Sequence, residues 1–129
     1  MSRVVCVSCI DGRIHDFVFK AIARIFPDTM VDLITEPGPD AFLTKPESTQ
    51  SLIWDKIDLS IDVNSSKAII CIAHEDCKGH AVSKDQHKLD LEVWLKNIKD
   101  RYPKIPSHAF WIENSGLAEE VGSSLSLKS

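Results

Sequence analysis

Nowhere in these 129 residues is there an apolar run near the roughly 20 positions a helix needs to cross a bilayer. The opening Met1-Ser2-Arg3-Val4-Val5-Cys6 also lacks the apolar region and small-residue cleavage site of a secretory signal. A cytoplasmic protein without a membrane partner is the expectation. A basic surplus is missing too: 15 Lys and Arg stand against 19 Asp and Glu, for a formal net charge of -4. That sign does not suit a phosphate backbone, so nucleic acid is a poor partner. Aromatics are scarce at 7%, and Gly and Pro number only five and six. No repeat, heptad pattern or low-complexity tract takes their place. With 43% hydrophobic residues, the chain suffices for one domain with a buried core and is short for two.

What is present alternates. Arg3 to Ser8 is rich in β-branched residues and reads as a buried strand. Phe17, Val18, Ala21, Ile22 and Ile25 recur at helical spacing between Asp16 and Phe26, and Pro27-Asp28 ends the pattern. Met30 to Ile34 reads as a second strand, and the prolines and glycine of Thr35 to Asp40 as a loop. A helix follows from Gln50 to Ile61. Ala68 to Ala73 is continuously apolar, the signature of a strand covered on both faces. Lys88 to Arg101 predicts a third helix and His108 to Ile112 a fourth strand. This order predicts one three-layer α/β/α domain over residues 1–121, with a mainly parallel central sheet of about four strands. Residues 122–129 read as a flexible tail.

In such a sheet the ligand site lies beyond the carboxyl ends of the strands. Two groups of chemically capable residues stand there: Cys9, Asp11 and Arg13 after the first strand, and His74-Glu75-Asp76-Cys77 after the apolar one. If those strands are neighbours, about 4.8 Å apart, two thiols and an imidazole share one small volume. Cys9, His74 and Cys77 then form a zinc set with one tetrahedral position open, as in catalytic sites. Asp11 is near enough to be the fourth ligand in a closed state, and Arg13 near enough to hold it away by a bidentate pair. The other two cysteines, Cys6 and Cys71, lie inside apolar strands and read as core.

These two motifs, Cys9-Ile10-Asp11-Gly12-Arg13 and His74-Glu75-Asp76-Cys77, resemble the Cys-x-Asp-x-Arg and His-x-x-Cys motifs of the β-class carbonic anhydrases, in the family's order and after strands. The resemblance implies that Cys9, His74 and Cys77 bind Zn2+ and that Asp11 and Arg13 form the dyad gating and orienting a metal-bound water. The activity it implies is a carbonate dehydratase, a zinc lyase that reversibly hydrates CO2 to bicarbonate, usually as a dimer. Carbonyl sulfide or carbon disulfide hydrolysis is the chemistry of some relatives, and a noncatalytic zinc-binding domain for regulation or assembly is the alternative of another class.

There are departures from the family. Only eight residues precede Cys9, where family members usually carry a helical arm and a substrate-orienting Gln. The glycines that follow the family's second cysteine become Lys78-Gly79-His80. His15 and His80 flank the motifs and are placed either as proton shuttles at the site mouth or as solvated surface groups. His87 and His108 receive no role. Phe17, Phe42 and Trp54 are open between lining an apolar pocket and packing the core, and Gly38 between close approach to the site and simple service in its turn.

Overall fold

The computed structural model describes residues 2–125. Five strands and three α-helices alternate: β1 (Arg3–Ser8), α1 (His15–Ile25), β2 (Met30–Thr35), α2 (Glu47–Asp62), β3 (Ile69–His74), α3 (Lys84–Arg101), β4 (Ser107–Ile112) and β5 (Ala118–Ser123). A 3-10 turn spans Pro39–Thr44 between β2 and α2. The strands form one sheet in the order β2-β1-β3-β4-β5. All pairings are parallel except the last, β4 with β5, which is antiparallel.

Side-chain alternation along the strands divides the core into two layers. Val5, Val7, Cys71, Ala73 and Trp111 face α2 and α3, where they meet Ile53, Ile57, Leu91, Trp94, Leu95 and Ile98. Val4, Cys6, Ile70, Ile72 and Ile112 face α1, against Val18 and Ile22. Leu91, Leu95 and Ile98 are each fully buried, and each such side chain contributes about 1.5–3 kcal/mol of transfer free energy. Cys6 and Cys71 are core residues, as read from their strands, and burial pushes both thiols up. Phe42 and Trp54 pack edge to face at 4.9 Å, which is the core-packing alternative for these two rings.

The sheet has five strands where about four are read from the sequence. β5 carries no apolar strand signal because Glu119 and Glu120 stand exposed on it, as suits an edge strand. Gly122 and Ser123 belong to this strand, and the Ser124 amide donates to the Ser107 carbonyl at 2.8 Å. Residues 122 and 123, expected in a flexible tail, are thus part of a strand; residues 126–129 of that expected tail lie outside the described residues. Two helices also begin earlier than their apolar periodicity: α2 follows Pro46 directly, and α3 starts at Lys84, capped by the Ser83 hydroxyl accepting from the Gln86 amide at 3.1 Å.

The first crossover runs from β1 outward to β2 through α1, and the second returns from β2 past β1 to β3 through α2. The reversal puts a topological switch point between β1 and β3. Val5, Cys6 and Val7 pair with Ile69, Ile70 and Cys71, so the residues that follow both strands emerge together.

Candidate metal centre

Cys9 and His74 are delivered by the ends of β1 and β3, and Cys77 by the turn after β3. Asp76 takes the left-handed backbone conformation, φ 60°, which Asp tolerates better than most residues. That turn brings the Cys77 thiol back beside its sequence-distant partner: Cys9 Sγ and Cys77 Sγ are 3.9 Å apart. Two thiolates on a tetrahedral zinc, with Zn–S bonds of about 2.3 Å, stand roughly 3.8 Å apart. The donor atoms of Cys9, His74 and Cys77 all lie within 4.8 Å of one another, and all three residues are buried.

The imidazole is already oriented. His74 Nδ1 is 2.8 Å from the Glu75 carbonyl oxygen, to which it donates, leaving Nε2 as the lone-pair nitrogen. That Nε2 is buried and has no hydrogen-bond partner. A buried acceptor in that condition is costly unless something binds it, and a hydrogen-bonded Nδ1 is how metal-bound histidines are held. The donor set thus fits a soft or borderline divalent metal such as zinc.

Without a metal, the two thiols share a proton. Cys9 is pushed down to about 3, first by the hydrogen bond from Cys77, against its burial, with further help from His74 and the amides of Gly38 and Asp11. Cys77 is pushed up by the same bond and by burial. Burial works against the His74 cation, but the neighbouring Cys9 sulfur and its negative charge outweigh it and raise its pKa. Without a metal the pocket therefore favours a thiolate beside a protonated imidazole, and a divalent cation would bind there by displacing those protons.

Asp11 faces Arg13. Arg13 Nη2 donates to Asp11 Oδ2 at 2.6 Å, Nε reaches both carboxylate oxygens at 3.1 and 3.0 Å, and the Arg13 amide donates to Oδ1 at 3.0 Å. These contacts hold the Asp11 carboxyl down to about 2. Arg13 Nη2 also donates to the Asp76 carbonyl at 3.2 Å, which ties the first loop to the second. Asp76 as an anchor was not read from the sequence, because a backbone carbonyl leaves no signal in residue type.

Gly38 takes the close-approach alternative. At φ 55° it lies against Gly79 and His80, where a built Cβ would stand 2.6 Å from His80 Cβ and 2.8 Å from the Gly79 carbonyl carbon. Its backbone hydrogen-bonds Cys9, and those of Gly79 and His80 hydrogen-bond Cys77. The histidines depart from the sequence reading. His80 is not a solvated surface group: its Nε2 sits 2.6 Å from Asp90 Oδ2, with its side chain 18% exposed. His87, given no role, is buried against Asp40. His15 is half-buried, and its Nε2 has no partner. His108 contacts Glu120 at 2.8 Å. Among the described residues no helix is long and apolar enough to cross a membrane.

Comparison with known proteins bears on the family and the fold. The family model described as "Putative carbonic anhydrase" matches residues 1–122. A search of curated proteins finds no match. Among solved structures, the chain is similar to a carbonic anhydrase from Glaciozyma antarctica, with 14% identity and a TM-score of 0.63 over 92% of this chain and 81% of that one. It is also similar to a β-carbonic anhydrase of Sordaria macrospora described as tetrameric, with 13% identity and a TM-score of 0.58 over 94% and 81% of the two chains. A third is the β-carbonic anhydrase of Aspergillus fumigatus, with 10% identity and a TM-score of 0.56 over 92% and 74%. Identities this low speak to the fold. By its own sequence, matched from Met1 to Gly122, the chain belongs to the carbonic anhydrase family that this model describes.

Proposed function

We propose that this protein is a zinc-dependent carbonic anhydrase that reversibly hydrates CO2 to bicarbonate, with Cys9, His74 and Cys77 holding the metal. The observation that carries this reading is the convergence of two thiols and an unpartnered imidazole nitrogen beside a carboxylate clamped by arginine. Zinc bound there supplies the Lewis acidity that makes water a nucleophile, tempered by two thiolates so that turnover favours alkaline pH.

The protein's own groups do the rest. Asp11, kept ionised by Arg13, accepts the hydrogen bond that orients the attacking oxygen and has no need to bind the metal itself. Arg13 is the positioning residue: its second bond, to the Asp76 carbonyl, fixes the dyad relative to the loop carrying Cys77. The same carboxylate, released from Arg13, is the candidate fourth ligand of a closed state. A homodimer is our reading of the assembly; the tetrameric description of the Sordaria relative supports oligomerisation in general.

Stopped-flow CO2 hydration by the zinc-loaded chain across pH tests the activity. Turnover rising toward alkaline pH is expected, with Asp11→Asn reducing it by about 100-fold or more at unchanged zinc content. No rate above buffer at any pH overturns the catalytic reading and leaves a noncatalytic zinc domain.

A further inference from the structure

Behind the Cys9, His74 and Cys77 cluster lies a second group of ligating side chains that the proposed reaction does not use. Asp40 sits in the 3-10 turn after β2, His80 in the loop after β3, and His87 in the first turns of α3. Asp40 Oδ2 is 2.5 Å from His87 Nδ1 and 3.9 Å from His80 Nε2. One donor atom from each of the three lies within 4.8 Å of the others. Asp90, one turn along α3 from His87, adds a carboxylate 2.6 Å from His80 Nε2, and its other oxygen accepts from Gln86 at 2.9 Å.

The Asp40 and His87 side chains are 0% and 1% exposed. Burying a carboxylate is expensive unless its oxygens are all engaged, yet Asp40 Oδ1 is buried without any partner. Hydrogen bonding inside the cluster therefore leaves one buried carboxylate oxygen of Asp40 without a partner. Nitrogen and oxygen donors on a tetrahedral ion, with bonds of about 2.1 Å, stand roughly 3.4 Å apart. The 2.5 and 3.9 Å separations seen here bracket that value.

We propose that Asp40, His80 and His87, with Asp90 at the outer side, form a second divalent-metal site, of imidazole and carboxylate donors without sulfur. That donor set suits zinc, cobalt, nickel or manganese rather than calcium or magnesium. The half-buried His80 and Asp90, 18% and 23% exposed, provide the way in. Its place in the fold gives it a structural consequence. An ion there joins α3 to the turn after β2 and the loop after β3, the two segments whose Gly38, Gly79 and His80 backbones bond the thiols. The second ion braces the loops around the first.

Cobalt(II) titration of the full-length, metal-free chain tests this, because sulfur-to-cobalt charge transfer marks only the cysteine site. Two equivalents are expected, the second without a charge-transfer band. Asp40→Asn and His87→Gln should each weaken the second equivalent by more than about tenfold and leave the charge-transfer band in place. Should either variant fail to fold by circular dichroism, His80→Gln at the half-exposed position takes its place. The Cys9→Ser chain leaves the second cluster untouched and should still bind one cobalt with a purely nitrogen and oxygen spectrum. One equivalent in the parent, or none without the charge-transfer band in Cys9→Ser, overturns the second site. CO2 hydration plays no part in these readouts, so a failure of the catalytic reading is separately visible.

Discussion

Gly38→Ala should damage the protein in two measurable ways, because the left-handed backbone of Gly38 and its close approach to another loop occur at the same atom. At φ 55° a residue with a β-carbon costs about 1–2 kcal/mol more than glycine. The new methyl would also stand 2.6 Å from His80 Cβ and 2.8 Å from the Gly79 carbonyl carbon and oxygen. Backbone atoms cannot rotate away as a side-chain tip can, so overpacking adds about 1–3 kcal/mol. The sum is a loss of about 2–5 kcal/mol in urea unfolding of the metal-free chain. Gly79→Ala provides the control. Its Cβ would meet Gly38 N and the Pro37 carbonyl carbon, both at 2.7 Å, but its φ is not positive, so only the packing cost applies. Each wedge also moves backbone bonded to a thiol, and zinc affinity measured by chelator competition should fall about 10–100-fold. Because both wedges open one gap, the double variant should lose less than the sum of the singles. A Gly38→Ala protein within about 1 kcal/mol of the parent, with unchanged zinc affinity, would refute the claim that this backbone contact supports the site.

Two titrations probe regions away from the metal. Tyr102 is the sole tyrosine, and burial, then its hydrogen bond to Asp58, push its phenol up to about 12. Its near-ultraviolet absorbance should titrate well above the usual value of about 10, and Asp58→Asn should bring the midpoint down; a parent midpoint near 10 contradicts the contact. Because the folded pKa is the higher one, Tyr102 stabilises the fold below about pH 10 and loses that contribution as pH rises toward its folded value. Asp32 runs the other way. Burial opposes its charge, but Asn64, Ser60 and Arg3 all donate to it, at 3.0, 2.7 and 2.7 Å, and its pKa falls. Its contribution is present above the unfolded carboxyl pKa of about 3.9 and lost as pH drops through the lower folded value. Asp32→Asn should cost about 1–3 kcal/mol near neutrality, with the deficit shrinking in acid; a deficit independent of pH would show that Asp32 acts by packing alone.

The candidate metal set was legible as a cluster because its parts are local. Each motif follows a strand immediately, and a run as apolar as Ala68 to Ala73 has few places in a domain except the middle of a sheet. Strand neighbours and register are not local, so the meeting of Cys9 with Cys77 rested on a condition that the pairing of β1 with β3 meets. His87 shows how a small boundary error hides chemistry. Reading α3 from Lys88 removes His87 from the helix, yet His87, Leu91, Trp94, Leu95 and Ile98 are its buried residues, at spacings of one continuous face. Extended by four residues, the periodicity would have marked His87 as an inward-pointing imidazole. Its partner Asp40 lies 47 positions away in a turn that reads only as a loop, and nothing in either segment announces the other.

The two clusters meet at the junction of Gly38 with Gly79, and this arrangement follows from the topology. The reversal of crossover direction at β1 and β3 opens a crevice at their carboxyl ends, and chain must fill it. Here the turn after β2 and the loop after β3 touch through two residues without side chains. Backbone contact that close places amides beside the sulfurs, so negative charge at either sulfur is favoured by groups that cannot titrate. The same contact forces the next polar side chains on those loops, Asp40 and His80, against each other and onto His87 of α3. A substitution that separates the loops must then act on both clusters at once, whereas loss of Asp40 or His87 reaches the thiols only through the position of the Gly38 and His80 backbones.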